Sequence, residues 1–349
     1  MSSSLAGVGA VLAAGIDSGL QLDPTGDLTL ILNVPSNVAR EIVKEDVDRV
    51  LLSFMAHHPD EDTKLGVRVS ALYMYRASAL IRDALRNITL SHRNDTLITN
   101  KQMNKVIVYR RPRATDTLFM LAALYRKPSL IPVAMSPRLL FEVALQAKAH
   151  KFNHEYVMPL LPLQPLLSMA MRANPLPREI TLTLDAWLLM TAYIHYPFGY
   201  SDVTLTYIME ATDKIVRTPL LNNDHLIAQL NARRLYWLTL IIDGLHDLHA
   251  SIVRTGCLSE QEQDPVRKRF CNMSVVTALI THMRSLRLIY PKPRPPFHGL
   301  SVRQLTTFVS ERSSVIRRKH PNCYLGFRLR REFHPIIIRG LKLDDLRIG

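Results

Sequence analysis

The stretch 67–86 constrains the fold more than any other part of the chain. It opens with two valines, Val67 and Val69, on either side of an arginine, and this alternation predicts a short half-buried strand. Ser70 follows at the position of a helix N-cap, where its hydroxyl would accept a hydrogen bond from an otherwise unpaired backbone N–H. Ser78 offers a second cap. The stretch therefore predicts a strand that leads into two short helices with a break near Ser78.

The rest of the first half also alternates between strands and helices. Turn residues up to Gly26, and β-compatible residues after it, predict a strand over 26–34. Residues 38–55 form an amphipathic helical pattern, and residues 57–64 are predicted to be an exposed loop. The other predicted elements are a strand over 105–111 and helices over 115–126, 136–151 and 154–173.

The second half is predicted to be wholly helical. Thr183 and Ser201 are the predicted N-caps of two helices, and Gly256 is the predicted end of the longest one. A proline-rich connector over 290–301 interrupts the pattern. The predicted helices cover residues 184–194, 201–217, 225–254, 264–288 and 301–318.

The order of the N-terminal elements resembles a BTB/POZ domain and is most similar to the fungal BTB/POZ domain-containing protein family. That domain begins with a glycine–aspartate strand, and a later strand runs through a valine–serine step into a helical hairpin. Residues 35–64 stand between the first two strands as an insertion. The matching residues are Gly26, Asp27, Leu28, Leu30, Val69 and Ser70, the Pro128 link, and Phe141, Val143, Ala144, Ala147, Lys148 and Phe152 in the helix that follows the link.

The C-terminal half resembles the same family. Members carry a cysteine-bearing loop, a helix that ends before a proline-rich stretch, a Gly-Leu-Ser segment, a His-x-x-Cys region and a closing Gly-Leu motif. Here the matching residues are Cys257, the segment 279–291, Gly299, Leu300, Ser301, Leu305, His320, Cys323 and the segment 340–346.

The resemblance implies an α+β fold in which a BTB/POZ-like domain, a small sheet packed on helical hairpins, is followed by an all-helical C-terminal region. We predict a disordered leader at residues 1–20, the BTB/POZ-like domain at 21–172 and the helical region at 173–349. The resemblance also implies a non-enzymatic adaptor or scaffold that binds other proteins through the BTB/POZ-like domain. Homodimerisation and recruitment of a ubiquitin ligase are family properties that the sequence leaves open.

Composition and motifs limit the function further. Three cysteines in 349 residues favour a reducing compartment, so we expect an intracellular protein of the cytoplasm or nucleus. No run reaches the roughly 18 apolar residues of a membrane span, so we expect no membrane partner. The sequence contains no nucleophile elbow, P-loop or zinc-protease motif, and we predict no enzyme and no cofactor. A helical enzyme with a site built from scattered residues is a rival class.

Basic residues are concentrated at the C-terminus. The net charge is +14, and residues 267–349 alone carry 18 Lys and Arg against 4 Asp and Glu. This segment makes a nucleic-acid-associated protein the alternative function, although nucleic acid is the less favoured partner. A merely solubilising surface is the simpler explanation of the charge. The residues that suggest a phosphate and base-stacking site are Arg317, Arg318, Lys319, Tyr324, Phe327, Arg328, Arg330 and Arg331.

Four residues form the candidate zinc set of the sequence, although the overall expectation is that no metal is bound. Cys257, Cys271, His320 and Cys323 make up a Cys₃His combination that suits Zn²⁺. The alternative is that the cysteines pack as small apolar groups. Two other metal-friendly groups are interpreted as a solvated loop and as surface or capping pairs. They are His57, His58, Asp60, Glu61 and Asp62, and Asp243, His246, Asp247 and His249.

Overall fold

The structure is a computed structural model, and it is mixed α/β, mostly helical, with a small sheet. The predicted leader, apart from Leu20, and the predicted amphipathic helix over 38–55 lie outside the described residues. The chain divides into two compact units: the first comprises residues 1–175 and 189–196, and the second comprises residues 176–188 and 197–348. The described residues are 20–23, 26–35, 62–86, 105–108, 114–150, 160–259, 262–289, 291–310, 323, 325–333 and 338–343.

The sheet of the first unit has the strand order β1-β3-β2-β4. Strands β2 and β3 pair antiparallel, with Leu28 opposite Val69, whereas β1 pairs parallel with β3 and β4 pairs parallel with β2. The side chains of Leu28–Leu32 are all buried, so β2 is covered on both faces. The strands are β1 (Leu20–Gln21), β2 (Leu28–Pro35), β3 (Asp62–Val69) and β4 (Lys105–Val108).

The predicted exposed loop over 57–64 is wrong in its last three residues. Asp62, Thr63 and Lys64 belong to β3 and pair with Pro35, Val34 and Asn33 of β2. The local composition is polar and indicates a loop, but the partner strand extends far enough to take up these backbone groups. The tertiary pairing therefore decided where the strand begins.

Two short helices follow β3, as predicted: α1 (Ala71–Ala77) and α2 (Ala79–Arg86). The Ser70 hydroxyl accepts a hydrogen bond from the Tyr73 amide at 3.3 Å, and the Ser78 hydroxyl accepts one from the Ile81 amide at 3.2 Å. Both predicted caps are thus confirmed. Each serine satisfies a donor that the first turn of its helix leaves unpaired.

Three further helices complete the first unit: α3 (Thr115–Leu124), α4 (Pro137–His150) and α5 (Gln164–Ala173). Helix α3 is buried along almost its whole length and contacts both β2 and α4. A short 3₁₀ turn at Pro128–Leu130 forms part of the link between α3 and α4. The sheet is therefore packed against helices, which is the arrangement that the alternating sequence pattern indicates.

The regular secondary structure of the second unit is helical in the residues that the structure describes. The long helix α8 supplies a continuous apolar side to the core, where its Leu238, Ile242 and Leu245 pack against residues of α9, α10 and α11. Within the described part of the chain, no helix combines the length and the apolar character needed to cross a membrane. The helices are α6 (Leu182–Tyr193), α7 (Pro197–Glu210), α8 (Asp224–Thr255), α9 (Pro265–Ser285), α10 (Val302–Ser310) and α11 (Leu325–Phe333); the last residues of α6 belong to the first unit.

Several predicted helix ends differ from the observed ones. Thr183 and Ser201 lie inside α6 and α7 instead of capping them, and α7 begins at Pro197, whose fixed φ suits a first helical turn. Helix α7 ends at Glu210 and not at the predicted residue 217. The next two carbonyl oxygens are hydrogen-bonded to a distant arginine, so the end of this helix is set by a tertiary contact.

The first unit extends beyond the predicted boundary at residues 172 and 173. It continues to residue 175 and also takes in residues 189–196. The Gln164 side-chain amide donates to the His195 carbonyl, and the Tyr196 hydroxyl donates to the Ser168 hydroxyl at 3.3 Å. These contacts fasten a segment of the predicted helical region to the first unit.

Candidate metal centre

The three cysteines of the chain meet in the second unit. Cys257 lies in the loop after α8, Cys271 lies within α9, and Cys323 lies in the turn before α11. The three Sγ atoms all lie within 4.8 Å of one another, and those of Cys257 and Cys323 are 3.4 Å apart. This separation is far longer than a disulfide bond, so the structure presents three thiols facing one point.

The local sequence explains how Cys257 reaches this point. Gly256 ends α8 with a positive φ of 66°, which a glycine adopts without steric cost, and its amide donates to the Ile252 carbonyl at 3.1 Å. The Gly256 carbonyl accepts a hydrogen bond of 2.6 Å from Nη2 of Arg328 on α11. Gly256, the residue before Cys257, is thus held both by its own helix and by α11.

The environment of the Cys271 thiol favours its neutral form when no cation is present. Burial raises the pKa of the Cys271 thiol to about 12, and hydrogen bonding to Cys257 and Cys323 contributes to the shift. The Leu258 amide donates to the Cys323 sulfur at 3.2 Å. As neutral groups the thiols pack as small apolar side chains, and as thiolates they form a soft ligand set for a metal ion.

Several of the other candidate ligands of the sequence analysis lie outside the described residues. His320, the predicted fourth member, lies outside the described residues and stays a prediction. His57, His58, Asp60 and Glu61 also lie outside the described residues, while the backbone of Asp62 is part of β3. Within the described ranges, the three cysteines are the one group of His, Cys, Asp or Glu side chains whose ligand atoms converge as a metal site requires.

The acidic and histidine residues on α8 have separate partners. The Asp243 carboxylate forms an ion pair with Lys292 at 2.7 Å, and Nε2 of His246 lies 2.8 Å from the Leu288 carbonyl oxygen, to which it donates. These two side chains therefore point to different partners.

A groove of about 800 Å³ on the second unit bears on the enzyme alternative. Its walls include Glu210, which is paired with Arg303, and His282, whose ring lies against Phe308 with centroids 5.4 Å apart. The Ser285 hydroxyl donates to the main-chain carbonyl of His282 and not to its ring. Glu210, His282 and Ser285 thus each have a partner within the fold.

One member of the basic cluster is not at the surface. Arg328 is 5% exposed and donates to the Gly256 carbonyl, so it is not placed to contact phosphate. Arg331 is exposed. Lys319 and Tyr324 lie outside the described residues, as do Arg317 and Arg318, and the same holds for the side chain of Arg330. The described part of the cluster therefore contributes a loop anchor in Arg328 and an exposed cation in Arg331.

Two buried polar residues with structural roles were not identified from the sequence. Arg234 on α8 is 1% exposed, and the Asp185 carboxylate accepts hydrogen bonds from the hydroxyls of Tyr207 and Thr218. The signal for Arg234 was its position: it lies on the apolar side of α8, four residues from both Leu230 and Leu238. A cation in such a stripe indicates buried acceptors nearby.

Comparison with known proteins gave no match. No protein-family model matches this chain, and no curated protein and no solved structure matches it either.

Proposed function

We propose that the protein is a non-enzymatic adaptor or scaffold of the BTB/POZ type, and that its first unit is the module that binds other proteins. The observation that carries the proposal is the order of elements in that unit. An antiparallel pair of strands, β2 and β3, leads directly into the hairpin α1–α2, a strand parallel to β2 follows, and α3 packs on the sheet. This is the succession on which the resemblance rests.

The glycine–aspartate pair at the start of β2 supports the proposal because both residues have a structural reason to be there. A Cβ on Gly26 would lie only 3.0 Å from the Asp23 carbonyl oxygen and 3.1 Å from backbone atoms of β3. The Asp27 carboxylate accepts a hydrogen bond of 2.6 Å from the amide of Ala71, the first residue of α1. Gly26 therefore lets the chain approach β3 closely, and Asp27 connects the start of β2 to α1.

Cross-linking mass spectrometry of the full chain in its own cells tests the proposal. Among the described side chains, the first unit presents Lys127 and Lys148 as reactive amines, and the second unit presents Lys214, Lys268, Lys292 and Lys342. We expect the links to other proteins to form mainly on lysines of the first unit. Links that fall mainly on the second unit, or a chain that carries salt-sensitive nucleic acid in place of proteins, would overturn the proposal.

A matched pair of variants gives a second readout. Leu72 on α1 is 59% exposed and Val253 on α8 is 58% exposed, so a glutamate is tolerated by the fold equally well at either position. We expect Leu72→Glu to reduce the amount of co-purified partner at least about fivefold, because charged residues are disfavoured in the buried core of a protein–protein interface. Val253→Glu should leave it unchanged. The opposite pattern would assign partner binding to the second unit.

A further inference from the structure

We propose that Cys257, Cys271 and Cys323 bind one Zn²⁺ as thiolates, in a structural site that joins three segments of the second unit. In a tetrahedral zinc site with Zn–S bonds of about 2.3 Å, neighbouring sulfur atoms are about 3.8 Å apart. The Sγ atoms of Cys257 and Cys323 are 3.4 Å apart, and no two of the three sulfur atoms are more than 4.8 Å apart. The expected value lies between these two distances. The sulfur atoms are thus placed for one ion.

The three cysteines come from separate segments of the chain. The chain contains three cysteines, and the fold collects all of them from three separate segments: the loop after α8, helix α9 and the turn before α11. Packing alone is served equally well by leucine, isoleucine or valine, which form most of the core of this unit. A soft metal ion requires several thiolates close together, and Zn²⁺ is the ion that cysteine ligands commonly bind.

The surroundings suit a charged metal–thiolate group. Three thiolates and one Zn²⁺ carry a net charge of −1, and charges of this kind are stabilised by hydrogen-bond donors around the sulfur atoms. The Leu258 amide donates to the Cys323 sulfur at 3.2 Å. The buried guanidinium of Arg328, whose Nε has no hydrogen-bond partner among the described residues, holds the loop that bears Cys257 and brings a positive charge to it.

Binding proceeds without redox chemistry. Each thiol releases its proton to solvent as its sulfur forms a bond to zinc, and neither sulfur nor metal changes oxidation state. The inference is independent of the proposed adaptor function, because the cysteines and the sheet belong to different units.

The test uses the full-length chain purified under reducing conditions. We expect elemental analysis to find about one zinc per chain. After removal of zinc by a chelator, titration with Co²⁺ should produce the thiolate-to-cobalt charge-transfer absorption, saturating at about one equivalent. This absorption reports sulfur ligands directly, and it needs no variant.

Three variants identify the ligands. Cys257→Ser, Cys271→Ser and Cys323→Ser should each weaken zinc binding at least about tenfold, since even the loss of a group that only supports a ligand costs that much. Asp247→Asn, in the metal-friendly segment of α8, is the control and should bind zinc as the unmodified chain does.

Several results would overturn the assignment. The first is a reduced, zinc-free chain that gives no charge-transfer absorption with Co²⁺. The second is about one iron or copper ion per chain in place of zinc, and the third is a disulfide between Cys257 and Cys323 in the freshly purified protein. The fourth is zinc binding that is unchanged in all three variants. If the variants do not fold, the cobalt titration of the unmodified chain decides.

Discussion

Arg234 shows how one buried residue can organise distant parts of the chain. Its guanidinium donates to five main-chain carbonyl oxygens, at 2.6 to 3.2 Å. These oxygens lie in two segments, residues 211–212 after α7 and residues 296–300 in the proline-rich connector. Neither segment is helical, so its carbonyl groups need a donor from elsewhere. The planar arginine fork supplies it, and the two segments are thereby fixed to α8.

We predict that Arg234→Met lowers the free energy of unfolding by at least about 3 kcal/mol. The methionine fills the space but leaves several buried acceptors unpaired, each at a cost of about 1–3 kcal/mol. Urea unfolding followed by tryptophan fluorescence measures the change. The neighbouring Arg233 is exposed, and Arg233→Met should stay within about 0.5 kcal/mol of the unmodified protein. Equal losses in the two variants would contradict the assigned role.

His150 is a fully buried imidazole in the first unit. Its Nδ1 lies 3.0 Å from the Ser78 hydroxyl, which in turn caps α2. Burial holds the pKa of His150 at about 4, below its usual value of 6.5. The folded protein therefore keeps this ring neutral in mildly acidic solution, where the unfolded chain protonates it.

We predict that the stability of the first unit falls as the pH decreases from about 6.5 to about 4. In this window the unfolded state binds one more proton than the folded state, so the free energy of unfolding rises with pH, by about 3 kcal/mol in total. Urea unfolding monitored by far-ultraviolet circular dichroism at pH 7 and pH 5 tests the effect.

The control for this prediction is a pair of asparagine variants. His150→Asn retains a hydrogen-bonding group beside Ser78 but does not titrate, so its pH dependence should be smaller than that of the unmodified chain. His225 is exposed, and His225→Asn should keep the original dependence. An unchanged slope in His150→Asn would assign the acid sensitivity to other groups.

At the scale of elements, the C-terminal segment 338–343 docks on α7 through a hydrogen bond to a side chain and a close approach of the two backbones. The Leu341 amide donates to the Thr204 hydroxyl at 2.9 Å, and that hydroxyl donates to the Tyr200 carbonyl at 2.8 Å. A Cβ on Gly340 would overlap the carbonyl oxygen of Ser201. The glycine is therefore required because the two backbones approach each other too closely for any side chain.

We predict that Gly340→Ala destabilises the protein by about 1–3 kcal/mol, the usual cost of an overpacked contact. The atom in the way belongs to a helix backbone and cannot rotate aside, so the segment must move off α7. Tryptophan fluorescence during urea unfolding reports the change. Lys342→Ala, at an exposed position of the same segment, is the control. A Gly340→Ala variant as stable as this control would show that the segment shifts freely.

At the scale of the whole molecule, the chain contains a useful spectroscopic asymmetry. Its two tryptophans, Trp187 and Trp237, both belong to the second unit, which also holds the three cysteines. Tryptophan fluorescence therefore follows the unit in which we place the zinc site, while far-ultraviolet circular dichroism reports on both units. The two probes together separate effects on one unit from effects on the other.

We predict that removal of zinc by a chelator lowers the midpoint of the tryptophan fluorescence transition in urea. A metal that binds only the folded chain, at a free concentration 100-fold above its dissociation constant, stabilises it by about 2.7 kcal/mol, and the chelator removes that contribution. Cys271→Ser should show no response to the chelator. A transition that the chelator leaves unchanged in the original chain would argue against a structural metal.

The sequence by itself determined the elements whose signals are local. The strand before Ser70, the hairpin α1–α2 with both serine caps and the end of α8 at Gly256 follow from periodicity and backbone preference within a few residues. It also indicated that the cysteines were a ligand set to consider. The helix caps and element ends can be predicted from the sequence because the residues that decide them are neighbours in the chain.

Tertiary structure alone decided the features that join distant segments. The start of β3 at Asp62, the end of α7 before the carbonyl groups bound by Arg234, and the transfer of residues 189–196 to the first unit all depend on partners far away in the sequence. The meeting of the three sulfur atoms is of the same kind. Hydrogen-bond acceptors and metal ligands act through space, so their partners become known only when the chain has folded and brought them within a few ångströms.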